Sequence, residues 1–217
     1  MNRFAVAVAV FVLLALPPAA PAASSLIGPS GLLVVPTAEV LGMTQWNAGV
    51  TAVRVDDESD ETVYYANVGL VPRFELGISR DKFEGREAET LLNGKLHVLG
   101  PLPAQVTLAF GMLDITDQID RTAYVVGTHD LGAGVLTPRG RFTRPQVHVG
   151  VGSGRFDGLF GGFSVTVSGR TDAMVEYDGD DLNLGVRWPI IDNVNLTVAS
   201  LDGFDDLAAS ISASSPW

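Results

Sequence analysis

The feature that most restricts the fold of this sequence is an alternation of apolar residues with small or polar ones. It recurs in short segments from Trp46 almost to the C-terminus. In residues 182–188, leucine, valine and tryptophan alternate with Asn183, Gly185 and Arg187. A period of two is that of a β-strand, whose successive side chains point to opposite faces. Turn residues separate segments of about nine residues, which predicts about 10–12 antiparallel strands.

The composition of the two faces predicts how these strands assemble. One face is aliphatic and aromatic, whereas the other is rich in glycine, serine, threonine and asparagine with scattered charges. Small inward residues suit a narrow lumen, and an apolar outer face suits lipid. Backbone groups on an open sheet edge have no partners in hydrocarbon, so a sheet that spans a membrane must close. The sequence therefore predicts an all-β fold, a closed antiparallel transmembrane β-barrel.

The N-terminus has the pattern of an export signal. A short basic start that includes Arg3 precedes an apolar stretch at 4–16, two prolines and an alanine-rich segment. This order predicts a signal peptide over residues 1–23, leaving 24–217 as a single barrel domain. An uncleaved anchor is the alternative, but the apolar stretch is shorter than the roughly 20 residues of a spanning helix.

Charge and composition exclude several classes of function. The formal net charge of the 217 residues is -11, with no run of Lys and Arg, which argues against a nucleic-acid partner. The absence of cysteine excludes disulfides, thiolate metal sites and a cysteine nucleophile. Neither a Gly-x-Ser-x-Gly elbow nor a His-Glu-x-x-His motif occurs. We expect a protein that is not an enzyme and has no cofactor.

The candidate site residues are the charged and imidazole side chains that have inward parity. They could form a network of opposite charges inside the lumen. The six residues are Glu75, Lys95, His97, His148, Glu176 and Arg187.

Two acidic runs, at 178–181 and 202–206, contain the carboxylates that hard cations prefer. Their spacing differs from that of the twelve-residue calcium loop, which favours solvated turns. The chain has three histidines, His97, His129 and His148. Histidines suggest metal binding or catalysis, but for a histidine inside a lumen a hydrogen bond to a neighbouring side chain is the commoner role.

Tryptophans near strand ends raise two interpretations. Trp46 and Trp188 fit either an aromatic girdle at a membrane interface or ordinary packing. The terminal Trp217 resembles the C-terminal aromatic residue of outer-membrane barrels.

Residues 31–40, which read GLLVVPTAEV, are apolar on both parities. Pro36 lacks an N–H group and therefore belongs at an edge, a bulge or a strand end. This segment is either a first strand that ends at Pro36 or a plug-like element in the barrel mouth.

Residues 31–40 resemble the opening element of the YjbH family of outer-membrane proteins. Similar stretches occur at 99–117, 152–163 and 176–188. The resemblance implies a short, single-barrel member that is accessory to exopolysaccharide export or envelope assembly. It also implies outer-membrane lipid, and exopolysaccharide or its export machinery, as partners.

A secreted, soluble β-sandwich that binds carbohydrate is the alternative function. Aromatic side chains in its loops would stack on sugars. The candidates are Phe83, Phe142, Phe156 and Phe204.

Overall fold

A computed structural model describes residues 22–55, 60–100, 106–132, 145–167 and 170–216. Most of the predicted signal peptide, Phe142 and Trp217 lie outside these ranges. The described residues form a closed antiparallel barrel of twelve strands, which confirms the predicted fold class and the upper end of the predicted strand number. No helix in these ranges is long and apolar enough to cross a membrane.

The strands pair in sequence order, and the pairing of the first strand with the last closes the barrel. In that seam Asn47 lies opposite Ser214, and Arg54 lies opposite Leu207. A short 3-10 turn, Asp202–Phe204, joins the last two strands. The strands are β1 (Trp46–Arg54), β2 (Glu61–Val71), β3 (Phe74–Phe83), β4 (Glu89–Leu99), β5 (Val106–Leu113), β6 (Thr122–Asp130), β7 (Pro145–Gly152), β8 (Gly158–Val167), β9 (Thr171–Tyr177), β10 (Leu182–Ile191), β11 (Val194–Leu201) and β12 (Asp206–Ser214).

The two ends of the barrel differ in their connections. Because the number of strands is even, β1 begins and β12 ends at the same end, called here the terminal end. Two connections there, 72–73 and 192–193, are tight turns in which Arg73 and Asn193 have φ of 73° and 64°. The opposite, distal end carries the connection 114–121 and five shorter ones of at least four residues.

The alternation places one apolar and one polar face as the sequence predicts. Outward side chains such as Val149, Leu184 and Val198 are 57%, 44% and 51% exposed. Inward positions on neighbouring residues, such as His148 and Asn183, are buried. The barrel therefore presents an apolar belt to its surroundings.

The lumen is filled by residues 24–41, called here the plug. Nearly all of its residues are buried, and isolated bridges such as that between Gly31 and Pro36 are its only regular pairing among the described residues. Strand β1 begins after the plug, at Trp46. Of the two interpretations of residues 31–40, the plug-like element is the correct one and the first strand is wrong.

The plug builds two apolar clusters inside the barrel. In one, Val34, Val35 and Ala38 pack among inward residues of β5, β6 and β8, and with Phe156. In the other, Leu26, Leu32 and Leu33 contact inward residues of β1, β9, β11 and β12. The interior is thus a packed core rather than a space lined only by small polar residues.

A single closed sheet also excludes the two-sheet sandwich of the alternative interpretation. Of its loop aromatics, Phe156 is fully buried and contacts the Tyr124 ring edge-to-face and the Phe160 ring at a tilt inside the barrel. Phe204 is exposed at the distal end, and Phe83 closes β3.

Candidate functional site

The plug has an irregular backbone, so most of its N–H and C=O groups lack the partners that a sheet would supply. Buried backbone groups in native proteins are nearly always paired, because an unpaired group loses its water without compensation. Inward side chains of the strands provide the partners. The candidate site is therefore the contact between the barrel wall and the plug.

Glu176 on β9 binds three consecutive plug amides. Its carboxylate accepts hydrogen bonds from the N–H groups of Leu33, Val34 and Val35 at 3.0, 2.7 and 3.2 Å. The side-chain amide of Asn183 donates a fourth at 3.3 Å. Successive N–H groups around one anion form a concave binding arrangement, and such charge-assisted bonds are strong.

Arg187 on β10 binds the opposite kind of group. Its Nη2 donates to the carbonyl oxygens of three plug residues, Ser24 at 2.9 Å, Gly31 at 3.1 Å and Leu32 at 2.7 Å. Its Nη1 lies 3.9 Å from Oδ2 of Asp172. One guanidinium thus connects both halves of a plug loop to the barrel wall.

Glu75 and Lys95 face each other across β3 and β4 and hold Ser30 between them. Glu75 accepts hydrogen bonds from the Ser30 N–H at 2.9 Å, from the Ser30 hydroxyl, and from the Leu41 N–H at 3.0 Å. Nζ of Lys95 donates to the carbonyl oxygens of Ser30 and Thr37 at 2.6 and 3.2 Å. This pair fixes the middle and the end of the plug.

The His148 ring lies between two hydroxyl groups. Its Nδ1 is 2.9 Å from the Thr128 hydroxyl, and its Nε2 is 3.2 Å from that of Ser164. Thr128 also accepts the N–H of Ala38 at 2.9 Å. His148 therefore contacts the plug indirectly, because it holds the Thr128 hydroxyl that binds the Ala38 N–H. His97 is buried as well, and its Nε2 has no hydrogen-bond partner among the described residues.

All six candidate residues point into the lumen, and among the described residues no ion pair joins any two of them. The sequence predicts that opposite charges inside the lumen meet one another. Instead, the plug places backbone donors and acceptors between them, and the charges satisfy those groups. The ionic contact of Arg187 runs to Asp172, which is not one of the six.

Neutral side chains also hold the plug, and sequence reasoning missed them. The hydroxyl of Thr51 donates to the Leu26 carbonyl at 2.7 Å, and the amide of Asn67 donates to the Gly28 carbonyl at 2.8 Å. Both residues have the same inward parity as the six charged or imidazole residues. Inward parity, rather than charge, is the signal that would have found them.

Inward glycines give the plug its room. A Cβ at Gly162 would lie 2.5 Å from Cδ1 of Leu32, and one at Gly185 would lie 2.5 Å from Cδ2 of Leu33. Real Cβ atoms do not approach other atoms so closely. The glycine-rich inner face therefore accommodates the plug rather than an open passage.

A cavity of about 670 Å³ remains at the terminal end, called here the vestibule. Its wall includes Arg170, Asp172 and Asn195 from the barrel, and Gln146 donates to Glu39 of the plug at 3.3 Å. The mixture of charged and amide groups can donate and accept hydrogen bonds at once. Polar hydroxylated molecules require such a lining.

The two acidic runs meet at the distal end. The N–H of Asp181 donates to Asp178 at 2.9 Å, and a hydrogen bond with Asp202 raises the pKa of the half-buried Asp181 carboxyl. Within the described part of the chain, no group of three or more His, Asp or Glu side chains has the geometry of a metal site.

Comparison with known proteins adds no identification: neither a family model nor a curated protein matches this chain.

Proposed function

We propose that this protein is a non-enzymatic β-barrel of the bacterial outer membrane with a permanently filled lumen. The apolar belt of the closed barrel supports this location, since soluble proteins rarely expose such continuous apolar surface. Trp46 and Trp188, 46% and 63% exposed near the terminal end, fit an interfacial aromatic girdle.

The single observation that carries the proposal is the bonding of the plug to the wall. Two carboxylates, a guanidinium and an ammonium on β3, β4, β9 and β10 together bind ten N–H or C=O groups of the plug backbone. Two apolar clusters fill the space around these contacts. A lumen so filled leaves no path for a polymer. The protein therefore acts through its two ends and its lipid-facing wall.

The proposed role is accessory to exopolysaccharide export or envelope assembly. The resemblance of residues 31–40 to the YjbH family favours it, and these residues lie in the plug. The vestibule, whose lining suits hydroxyl-rich ligands, supports binding of exopolysaccharide or of a component of its export machinery at the terminal end.

Gel mobility of the detergent-extracted membrane fraction, with and without boiling, tests the location. We expect a band that migrates faster before boiling, because a closed barrel resists unheated detergent. Recovery of the protein in the periplasmic or medium fraction without a mobility shift would contradict the proposal.

Deletion in the host tests the role. We expect less exported polysaccharide, with restoration by the natural sequence. A variant with Asp172→Ala and Asn195→Ala in the vestibule should still show the mobility shift but restore less polymer. Unchanged export in the deletion strain would refute the accessory role while leaving the membrane location intact.

A further inference from the structure

The outward face of the barrel carries charge at one place only among the described strand residues. Its lysine and arginine residues are Arg54 on β1 and Arg80 and Lys82 on β3, all exposed. No Asp or Glu of the described strands has outward parity. Each of these carboxylates lies opposite an inward residue of the neighbouring strand; they are on β2, β3, β4, β6, β9 and β12. In a chain of net charge -11, an exclusively cationic outer surface requires an explanation.

The strand register brings the three cations together at the distal end. Lys82 lies opposite Thr62 on β2, and Arg80 lies opposite Tyr64. Thr62 in turn lies opposite Ala52, two residues before Arg54. Adjacent strands are about 4.8 Å apart, so β1 and β3 are separated by roughly 10 Å. Arg80 is level with Val50, four residues or roughly 13 Å along the strands from Arg54, with Lys82 between these two levels. The two arginine side chains must therefore extend toward each other to reach one small group.

The level of this cluster on the wall matches the boundary of a lipid leaflet. Tyr64, 52% exposed, lies between the basic side chains, as aromatic residues do at membrane interfaces. The next outward positions toward the barrel middle, Ala48, Ala66 and Ile78, are apolar. The cations thus lie where headgroups meet acyl chains.

Nothing on the barrel wall neutralises these cations. No described carboxylate forms an ion pair with Arg54, Arg80 or Lys82. Asp81, which lies between Arg80 and Lys82 in sequence, is buried and points to the inside of the barrel, and Asp60 and Glu84 belong to connections beyond the strand ends. The cluster is available to an anion from outside the protein.

We propose that Arg54, Arg80 and Lys82 form a binding site for the phosphate group of an anionic membrane lipid. Two guanidinium groups can each donate a pair of parallel hydrogen bonds to phosphate oxygens, and the ammonium adds a third point of charge. The acyl chains would lie along the apolar positions below. This inference rests on the proposed membrane location.

Native mass spectrometry of the folded barrel tests the site, with phosphatidylglycerol and phosphatidylcholine of identical acyl chains as probes. We expect the natural sequence to retain phosphatidylglycerol preferentially. One basic residue near an anionic surface contributes about fivefold in affinity, so Arg54→Gln with Arg80→Gln should lower retention roughly 25-fold. Arg80→Lys keeps the charge but loses the planar guanidinium group, so lipid retention should fall by less than in the double variant. This conservative variant keeps the test informative if the double variant misfolds.

The matched control is Arg86→Gln with Arg121→Gln, which removes the same charge from exposed distal connections. It should leave the preference unchanged; an equal loss would overturn the site. Competition by glycerol phosphate as effective as that by the lipid would also overturn it, because the site would then bind free anions.

The mobility shift on boiling, recorded for every variant, separates the two proposals. A natural-sequence barrel that shifts but shows no preference for phosphatidylglycerol refutes the lipid site alone. Absence of the shift refutes the membrane location on which it rests.

Discussion

At the scale of single residues, inward parity was predictable from sequence and the partner of each side chain was not. Glu176 and Arg187 are assigned to the lumen by local alternation alone. Their partners in the plug lie 141 to 163 residues away in the chain, in a segment without alternation. Local patterns carry no information on such contacts, because only closure of the barrel brings them together.

The three amides around Glu176 lead to a first prediction. Glu176→Gln replaces an anion that accepts from three N–H groups by a neutral amide, and we expect a loss of about 2 kcal/mol in unfolding free energy. Urea titration in vesicles measures it, and hydrogen exchange at residues 33–35 should accelerate. Glu87→Gln, on an exposed connection, is the control. Unchanged exchange at 33–35 would show that Glu176 does not hold the plug.

A second prediction concerns pH at the distal connection 114–121. Burial opposes ionisation of Asp114, but N–H groups of Gln118, Ile119 and Asp120 and the Thr116 hydroxyl bind its carboxylate, and together they hold its pKa below the ordinary 3.8. The folded state therefore favours the anion. The stabilisation is present above the ordinary pKa and is lost as pH falls through the lower folded value.

Amide chemical shifts from NMR check this sign. We expect the signals of residues 118–120 to titrate together with a midpoint below 3.8, and Asp114→Asn to abolish the titration. A midpoint above 3.8 would contradict the role of these hydrogen bonds.

At the scale of elements, the strands were predictable and the place of the plug was left between two alternatives. The weakly alternating stretches at 124–129, 172–177 and 207–212 form β6, β9 and β12, because each has a paired neighbour on both sides. Residues 31–40 are apolar on both parities because the plug is buried on all sides. The sequence therefore indicated burial of this segment without its location.

The plug as an element gives a third prediction. Deleting residues 24–41 removes both apolar clusters and leaves inward charges facing water, so we expect stepwise ion conductance in planar bilayers, with the natural sequence silent. Gly162→Val is a less drastic variant for the case in which the deletion prevents folding. It should crowd Leu32 and produce intermittent conductance. Gly94→Ala, which has ordinary contact distances at its outward position, is the control. Conductance by the natural sequence would contradict a filled lumen.

At the scale of the whole molecule, the outer wall decides between lipid and water as the surrounding solvent. Val149→Lys and Val186→Lys place a charge on the outward face away from the rims, at a cost of about 2–4 kcal/mol if that face contacts the bilayer interior. Leu207→Lys, also outward but at the start of β12 on the distal rim, should cost at most about 1 kcal/mol. Urea titration in vesicles compares the three, and equal small losses would mean that water covers the belt.

Spin labelling along β10 tests the lipid-facing, plugged barrel most directly, since the chain contains no cysteine and each introduced one is unique. In vesicles, labels at Leu184 and Val186 should collide often with oxygen, which concentrates in lipid, and rarely with a water-soluble nickel complex. A label at Asn183 should collide little with either, because this position points to the inside of the barrel. Frequent nickel collisions at Leu184 and Val186, or no alternation along the strand, would contradict the account.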